Sequence, residues 1–231
     1  MKPVPRLEGV TERLDAPIHD PAVLARSLDQ VAAVNRWLGA RRALLRHLRG
    51  RLRRDRLTRI LDVGTGSGDL PRAVAAHAAR RGRPLELVAA DAHPQIAALA
   101  AARSGPGLRV AVADARSLPF PDGAFDIGLL SMTLHHFDGA EQEAVLRSVA
   151  RVVHGDIIIG ELHRSRIHYL GARLLAATLW RGNRLTRHDG PVSVLRGFVP
   201  DELLRIAARA GLRDAAVHRH PFYRLVLTAR C

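Results

Sequence analysis

The chain has 231 residues, 47% of them hydrophobic and 25% charged, which suits one sizeable globular domain with a core. The longest apolar runs fall far short of a bilayer span, and the start lacks the apolar core of a signal peptide, so we expect a cytoplasmic protein without a transmembrane helix. The single cysteine, Cys231, excludes an internal disulfide and argues against a cysteine metal cage or a thiol nucleophile.

The formal net charge is +14, and the arginines are densest between Arg41 and Arg59. A patch of this kind fits any polyanion, whether RNA, an anionic membrane or an acidic carrier protein. Lys2 is the only lysine, however, and an arginine-rich, lysine-poor composition is what a high-GC coding bias produces. We therefore favour a compositional origin for the patch and treat a nucleic acid or an anionic surface as a disfavoured partner.

The first predicted elements in chain order are helices. From Pro21 to about Leu48, leucine and valine recur at spacings of three and four residues, with interruptions at Gly39 and Gly50. This pattern predicts an N-terminal helical segment, residues 1–58, ahead of the first strand.

The most informative stretch follows at Arg59–Leu70. A short apolar run ending in Asp62 predicts a strand, alternating glycines predict a tight loop, and the alanine-rich pattern from Pro71 to Arg81 predicts a helix. Glycines leave no Cβ in the way, so the loop backbone can lie against a flat ligand while the helix N-terminus offers free N–H groups. The spacing G-x-G-x-G differs from the dinucleotide fingerprint, and Asp62 would repel a pyrophosphate but suits a ligand with an ammonium group.

Two further predicted strands also end in carboxylates. Leu85–Asp91 places an acid some twenty residues past the glycines, where it can accept hydrogen bonds from the ribose hydroxyls of an adenosine. The next strand, Leu108–Ala113, is followed by Asp114. Three carboxylates at one edge of a parallel sheet are hard to explain by packing, which favours apolar residues there.

Leu61–Gly68 resembles the first motif of the class I S-adenosylmethionine-dependent methyltransferases, and Phe120–Asp126 resembles the P-x-x-x-F-D lead-in to their fourth strand. The resemblance covers residues 59–161 well, although His154-Gly155-Asp156 replaces the usual R-P-G-G turn. It implies an α/β fold with a doubly wound, Rossmann-like sheet of seven strands, the last antiparallel, and S-adenosyl-L-methionine as cofactor. By position it implies this set of cofactor-binding residues: Asp62, Gly64, Thr65, Gly66, Gly68, Asp91, Ala92, Asp114, Ala115 and Ser131.

The resemblance also implies a division of the chain. Residues 1–58 correspond to a helical cap segment and residues 59–231 to the methyltransferase domain, with residues 162–197 as a substrate-cap insertion after the fifth strand. Within the insertion we predict an apolar helix, Tyr169–Trp180, and then a polar loop, Asn183–Pro191. The predicted substrate-binding residues are Trp37, Tyr169, Trp180 and Arg187.

Leu134-His135-His136-Phe137, just past the fourth strand, resembles the L-H-H pattern of quinone and other small-molecule methyltransferases. Because the pKa of histidine lies at about 6.5, it is a usable base at neutral pH. We predict His136 as the base, with His135 beside it and His188, next to Asp189 in the insertion, as further candidates. No metal site is predicted, because the adjacent pair lacks the carboxylate spacing of a magnesium-dependent catechol enzyme.

These features predict methyl transfer to the oxygen or carbon of a lipophilic aromatic small molecule, of the phenol, hydroquinone or polyketide type met in secondary metabolism. Ser131-Met132-Thr133-Leu134 stands where adenine N6-methyltransferases carry their N/D-P-P-Y/F tetrad, so that class is disfavoured. Two alternatives stay open: an RNA-modifying methyltransferase recruited through Arg41–Arg59, and a non-catalytic S-adenosylmethionine-binding regulator. The sequence does not specify the acceptor, the regiochemistry or the oligomeric state.

Overall fold

A computed structural model describes residues 4–231; residues 1–3, at the start of the predicted N-terminal segment, lie outside the described part. The strands are Thr58–Val63 (β1), Leu85–Asp91 (β2), Leu108–Val112 (β3), Phe125–Ser131 (β4), Val153–Leu162 (β5), Arg213–His220 (β6) and Arg224–Arg230 (β7). They form one seven-stranded sheet in the order β3-β2-β1-β4-β5-β7-β6, in which β7 runs antiparallel to both of its neighbours. This confirms the predicted doubly wound, Rossmann-like sheet.

Within residues 4–231, eight α-helices surround the sheet. They are Pro21–Trp37 (α1), Ala40–Leu48 (α2), Asp69–Ala79 (α3), Pro94–Ala102 (α4), Ala140–Val152 (α5), Arg166–Ala177 (α6), Arg184–Arg196 (α7) and Pro200–Arg209 (α8). Two short 3-10 turns add Arg13–Asp15 and Leu134–His136. The predicted boundaries mostly fall within three residues of those observed.

The core lies on both faces of the sheet, which explains why the central strands are almost continuously apolar. Alternate side chains of β1 point to opposite faces: Leu61 and Val63 pack with α5 and α8, whereas Ile60 packs with α2 and α3. Helix α2 therefore belongs to the core beneath the sheet. A Cβ on Gly160 of β5 would lie 2.9 Å from a methyl carbon of Leu44, so the glycine allows this close helix–strand contact.

Helix α1 lies over the carboxyl edge of the sheet, where its Leu24 and Leu28 pack against Ile96 of α4. The division of the chain at residue 59 stays a prediction. Within the N-terminal segment, the structure places α2 in the core and brings α1 and the stretch ahead of it to the candidate site.

The prediction of a polar loop at Asn183–Pro191 is wrong, because these residues cap and form most of α7. Gly190-Pro191 has the composition of a turn, but tertiary packing overrides this local preference. A Cβ on Gly190 would overlap the ring of Trp180, so the glycine is needed where the helix meets the indole. The side chain of Asn183 caps the helix by accepting a hydrogen bond from the Leu185 amide at 3.1 Å.

Asn183 also ties α7 to α1, because its amide nitrogen donates to Ser27 Oγ in a buried position and to Gln30 Oε1, each at 2.9 Å. We expect Asn183→Ala to lower the free energy of unfolding by about 2 kcal/mol or more, through loss of a cap worth about 1 kcal/mol and of buried hydrogen bonds. Ser165→Ala, which removes only the cap of α6, is the control and should cost about 1 kcal/mol. Chemical denaturation measures both, and equal losses would show that the tie to α1 contributes nothing.

Candidate functional site

A cavity of about 1010 Å³ opens at the carboxyl ends of β1, β2 and β4. This is the edge at which ligands of open α/β sheets bind. One side of the cavity is formed by the glycine loop and by the residues that follow β2 and β4, and the other side by α1, α6 and α7. The stretch from Glu12 to Pro17 and the turn between β6 and β7 complete the wall.

The glycine loop has the backbone that its sequence predicts. Gly64, Gly66 and Gly68 have φ values of +71°, +54° and +71°, in the left-handed region that favours glycine. A Cβ on Gly64 would overlap the side chain of Thr133, whose hydroxyl donates to the Val63 carbonyl at 3.0 Å. The loop is thus fixed against the end of β4, and Gly68 forms the N-cap of α3.

Asp62 lies beneath the loop and is only 1% exposed. Its Oδ1 has no hydrogen-bond partner among residues 4–231, and burial raises the pKa of the carboxyl from 3.8 to about 7. A buried carboxylate on a cavity wall with an unpaired oxygen is suited to a cationic ligand. S-adenosylmethionine, which carries an ammonium and a sulfonium group, fits this requirement.

Asp91 lies at the end of β2 and on the cavity wall. Its two carboxylate oxygens accept hydrogen bonds from the backbone amides of Gly66 and His93, each at 3.0 Å. These bonds fix the orientation of the carboxylate and leave lone pairs free for ligand hydroxyls. Burial is the main reason that the pKa of Asp91 is raised. Its role as the ribose-binding acid stays a prediction that this geometry supports.

The structure brings most of the predicted cofactor-binding residues together. Those on the cavity wall are Asp62, Gly64, Thr65, Gly66, Asp91, Ala92, Ala115 and Ser131. Asp114 is not among the lining residues, and its carboxylate accepts hydrogen bonds from the backbone and the guanidinium of Arg116. Those hydrogen bonds hold the pKa of Asp114 below its usual value.

His135 is buried between two carboxylates. Its Nδ1 donates to Glu161 at 2.8 Å, and its Nε2 lies 3.5 Å from Glu12. Burial alone would lower the pKa of His135, but the two carboxylates outweigh burial and raise it to about 10. His135 is therefore a fixed imidazolium at neutral pH, which argues against the predicted role as a base.

His136 lies on the cavity wall and stacks on His135, with ring centroids 4.5 Å apart. Its Nδ1 lies 3.1 Å from Asp15 Oδ2, so Nδ1–H donates to the carboxylate and Nε2 carries the free lone pair when the ring is neutral. Burial lowers the pKa of His136, but Glu12 and Asp15 outweigh it and the net shift is upward. An imidazole oriented by a carboxylate is the arrangement that a general base requires.

Sequence reasoning missed Glu12, which lies more than a hundred residues before the histidines and has no motif to mark it. The fold buries it beside both rings, and Ser193 Oγ donates to it at 2.6 Å. Burial would raise the pKa of Glu12, but the histidines outweigh burial and lower this pKa to about 2.

Ligand atoms of Glu12, His135 and His136 lie within 4.8 Å of one another, yet both ring nitrogens of His135 already face carboxylates. The predicted absence of a metal site stays a prediction.

His188, the predicted rival base, does not line the cavity. Its Nδ1 donates to Asp189 at 2.8 Å. The Asp189 carboxylate also accepts hydrogen bonds from the backbone amides of Arg13 and Leu14, each at 2.9 Å. The pair therefore joins α7 to the N-terminal segment and presents no free nitrogen to the cavity.

Of the predicted substrate-binding residues, only Trp180 lies on the cavity wall. Trp37 is 77% exposed at the end of α1, and Arg187 is exposed on the outer face of α7. Tyr169 packs against Leu162 and Val194 instead. The wall of the insertion consists largely of small and aliphatic side chains of α6 and α7. Arg224 of β7, which sequence reasoning also missed, is buried in another part of the cavity wall.

The predicted basic patch lies mostly away from this cavity. Arg51, Arg56 and Arg59 form ion pairs with acids near the amino ends of the strands, at the edge of the sheet opposite to the cavity. Arg41 is the member of the patch that reaches the cavity wall.

Within residues 4–231, the helices are all too short or too polar to cross a membrane.

A family model described as a methyltransferase domain matches residues 60–156. This region of the chain therefore matches a methyltransferase domain. The match confirms the resemblance, the enzyme class and S-adenosyl-L-methionine as the cofactor of that class.

Among curated proteins, a demethylmenaquinone methyltransferase of Thermus thermophilus is 39% identical over 98 residues. The aligned part is 41% of this chain and 42% of that protein, so the chain spans less than half of the relative's length.

Solved structures share the fold. An S-adenosylmethionine-dependent methyltransferase of Aquifex aeolicus has a TM-score of 0.65 at 16% identity, over 92% of this chain and 98% of its own. Human N-acetylserotonin methyltransferase, in complex with S-adenosylmethionine, has a TM-score of 0.65 at 15% identity, over 91% of this chain and 56% of its own.

The raised pKa of Asp62 makes a prediction about stability. The folded state binds this proton more tightly than the unfolded state, so ionisation of Asp62 destabilises the ligand-free protein as pH rises from about 4 to about 7. Asp62→Asn should therefore raise the melting temperature more at about pH 8 than at about pH 5. Thermal unfolding of both proteins at the two pH values measures the difference, and a pH-independent difference would contradict the assignment.

Proposed function

We propose that the protein transfers a methyl group from S-adenosylmethionine to an oxygen or carbon of a lipophilic aromatic small molecule, such as a phenol, a hydroquinone or a polyketide. One observation carries the proposal: the crevice of the glycine loop and an apolar chamber under α1, α6 and α7 belong to the same cavity, and His136 lies on its wall. A flat apolar acceptor and the cofactor would thus share one enclosed site.

The residues beneath the loop would hold the cofactor. Bound S-adenosylmethionine supplies a methyl group on a cationic sulfur, which an acceptor attacks in line. Asp62 would offer its unpaired oxygen to a positively charged group of the cofactor. Asp91, whose carboxylate is fixed by two backbone amides, would accept hydrogen bonds from the ribose hydroxyls. Gly66, with a φ of +54°, would let the loop backbone approach the ligand with no Cβ between them.

His136 would take the proton of the acceptor. Its Nε2 has the free lone pair, and Asp15 would stabilise the imidazolium that forms. His135 would contribute as a fixed cation: it stacks on His136, and Glu12 and Glu161 hold it in place. In its unprotonated form, the ring of His136 would thus be a base with a carboxylate behind it.

The relative from Thermus supports a quinone-type acceptor, since its name describes methylation of demethylmenaquinone. Because the similarity covers less than half of that protein, the acceptor class rests on the apolar cavity as well. An RNA acceptor is less favoured by the geometry, because most of the basic patch lies at the opposite edge of the sheet and several of its arginines pair with acids of the chain.

The direct test is mass spectrometry of cell extract incubated with the protein and methyl-labelled S-adenosylmethionine. We expect the label in an aromatic small molecule. Labelled RNA would support the RNA-modifying alternative instead. Intact cofactor binding without any labelled product would support a non-catalytic regulator.

Replacing Asp91 tests the cofactor site. Asp91→Ala should weaken S-adenosylhomocysteine binding at least about tenfold, because each charge-assisted hydrogen bond contributes about 1.5–3 kcal/mol. Asp114→Ala is the matched control, since that carboxylate faces Arg116 and should leave the affinity within about twofold. Calorimetry measures both, and the reverse order of effects would move the adenosine site to β3.

Replacing His136 tests the chemistry. His136→Gln should lower kcat about 100- to 10,000-fold without changing cofactor affinity, and the residual rate should recover as pH approaches the phenol pKa of about 10. His188→Gln, outside the cavity, should keep near-full kcat. If the two variants behave the other way round, the base is on α7; if neither matters, proximity alone drives the transfer.

A further inference from the structure

Arg224 is a buried cation on the wall of an otherwise largely apolar chamber. It is the first residue of β7 and is 3% exposed. Its Nε has no hydrogen-bond partner, and Arg224 forms no ion pair within the described part of the chain. The sulfur of Met132, 3.9 Å from a guanidinium nitrogen, is a weak acceptor.

The nearest acid does not satisfy this charge. Glu161 accepts hydrogen bonds from the ring and the backbone amide of His135 and from the backbone amide of Leu162. Burial lowers the pKa of Arg224 to about 10, with Glu161 only partly offsetting the effect, so the guanidinium stays protonated at neutral pH. Burying a cation without a partner is costly in a folded protein, and a partner from outside the chain would remove that cost.

The backbone around Arg224 is strained. Phe222 and Tyr223, immediately before it, have φ values of 58° and 56°, and Met132 has a φ of 56°. Asp214 is the only other non-glycine residue within residues 4–231 that has a positive φ. Strained backbone of this kind is concentrated at functional sites, where the surrounding structure holds a side chain in a required position. The Tyr223 ring also stacks on His168, another wall residue, with centroids 5.3 Å apart.

We infer that Arg224 selects an acceptor with an anionic oxygen on its aromatic ring system, either a ring carboxylate or an ionised ring hydroxyl. A planar guanidinium donates two parallel hydrogen bonds to a carboxylate, or charge-assisted hydrogen bonds to the single oxygen of an ionised hydroxyl, and the chamber walls would bury the ring. That the bound anion is the methyl acceptor rests on the proposed function; the binding itself does not.

The test uses calorimetry on the full-length protein saturated with S-adenosylhomocysteine. The probes are 2-naphthoate, a ring carboxylate; 2,4-dinitro-1-naphthol, whose hydroxyl is ionised at neutral pH; and 2-naphthol, which is neutral. Wild type should bind at least one of the anions about tenfold or more tightly than 2-naphthol. The anion with the larger preference identifies which oxygen the site takes, and no preference for either would overturn the inference.

Arg224→Met keeps the length of the side chain and removes its charge. It should weaken binding of the preferred anion at least about tenfold and leave 2-naphthol within about threefold, while Arg224→Lys should retain part of the preference. Arg41→Met is the matched control, because Arg41 is also on the cavity wall, and it should leave anion binding within about threefold.

Two further readouts separate this role from its rivals. A structural role would lower the melting temperature of Arg224→Met, whereas removal of an unpaired buried cation should keep or raise it. If Arg224→Met weakens S-adenosylhomocysteine binding instead, the guanidinium binds the cofactor's carboxylate and the inference is wrong. If wild type does not bind S-adenosylhomocysteine at all, the proposed function fails, and anion selectivity measured without it still decides the role of Arg224.

Discussion

The buried imidazolium of His135 is the interaction on which the site depends. It joins three parts of the chain that are distant in sequence: the turn after β4, the end of β5 through Glu161, and the N-terminal segment through Glu12. Arg196 extends the network, because its guanidinium donates to the carbonyls of His135 and Val10 at 2.7 and 2.6 Å. A charge this deeply buried is stable only while its partners are present, so the N-terminal segment and the end of the sheet form one unit.

The unpaired charges on the cavity wall lie outside this network and at different places in the cavity. Asp62 lies beneath the glycine loop with an unpaired carboxylate oxygen, and Arg224 lies at the start of β7 with an unpaired guanidinium nitrogen. The paired charges around His135 and His136 lie on the same cavity wall. Such an arrangement suits two ligands of different charge, a cationic one at β1 and an anionic one at β7, with an oriented imidazole available to both.

The parts predicted correctly from the sequence are those set by local pattern. The strand that carries Asp62, the glycine loop and the acid at the end of β2 each depend on a few consecutive residues whose conformational preferences agree. Residues that reach the site through tertiary folding were missed: Glu12 arrives from the N-terminal segment, and Arg224 arrives across an antiparallel strand pair. Asp114 is the opposite case, since its position in the sequence suits the cofactor but the structure pairs its carboxylate with the neighbouring Arg116, so its role stays a prediction. At α7, contact with Trp180 overrode a turn-like composition.

The stretch from Glu12 to Pro17 is at once a wall of the cavity and the source of the carboxylates that face the histidines. Any movement of this stretch that widened the cavity would also withdraw Asp15 from His136 and Glu12 from His135. Access and reactivity would therefore depend on the same segment: if it were displaced, ligands would exchange more freely, but the imidazole would lose the carboxylate that orients it. Under the proposed function, proton removal would then be confined to the enclosed complex, from which bulk water is excluded.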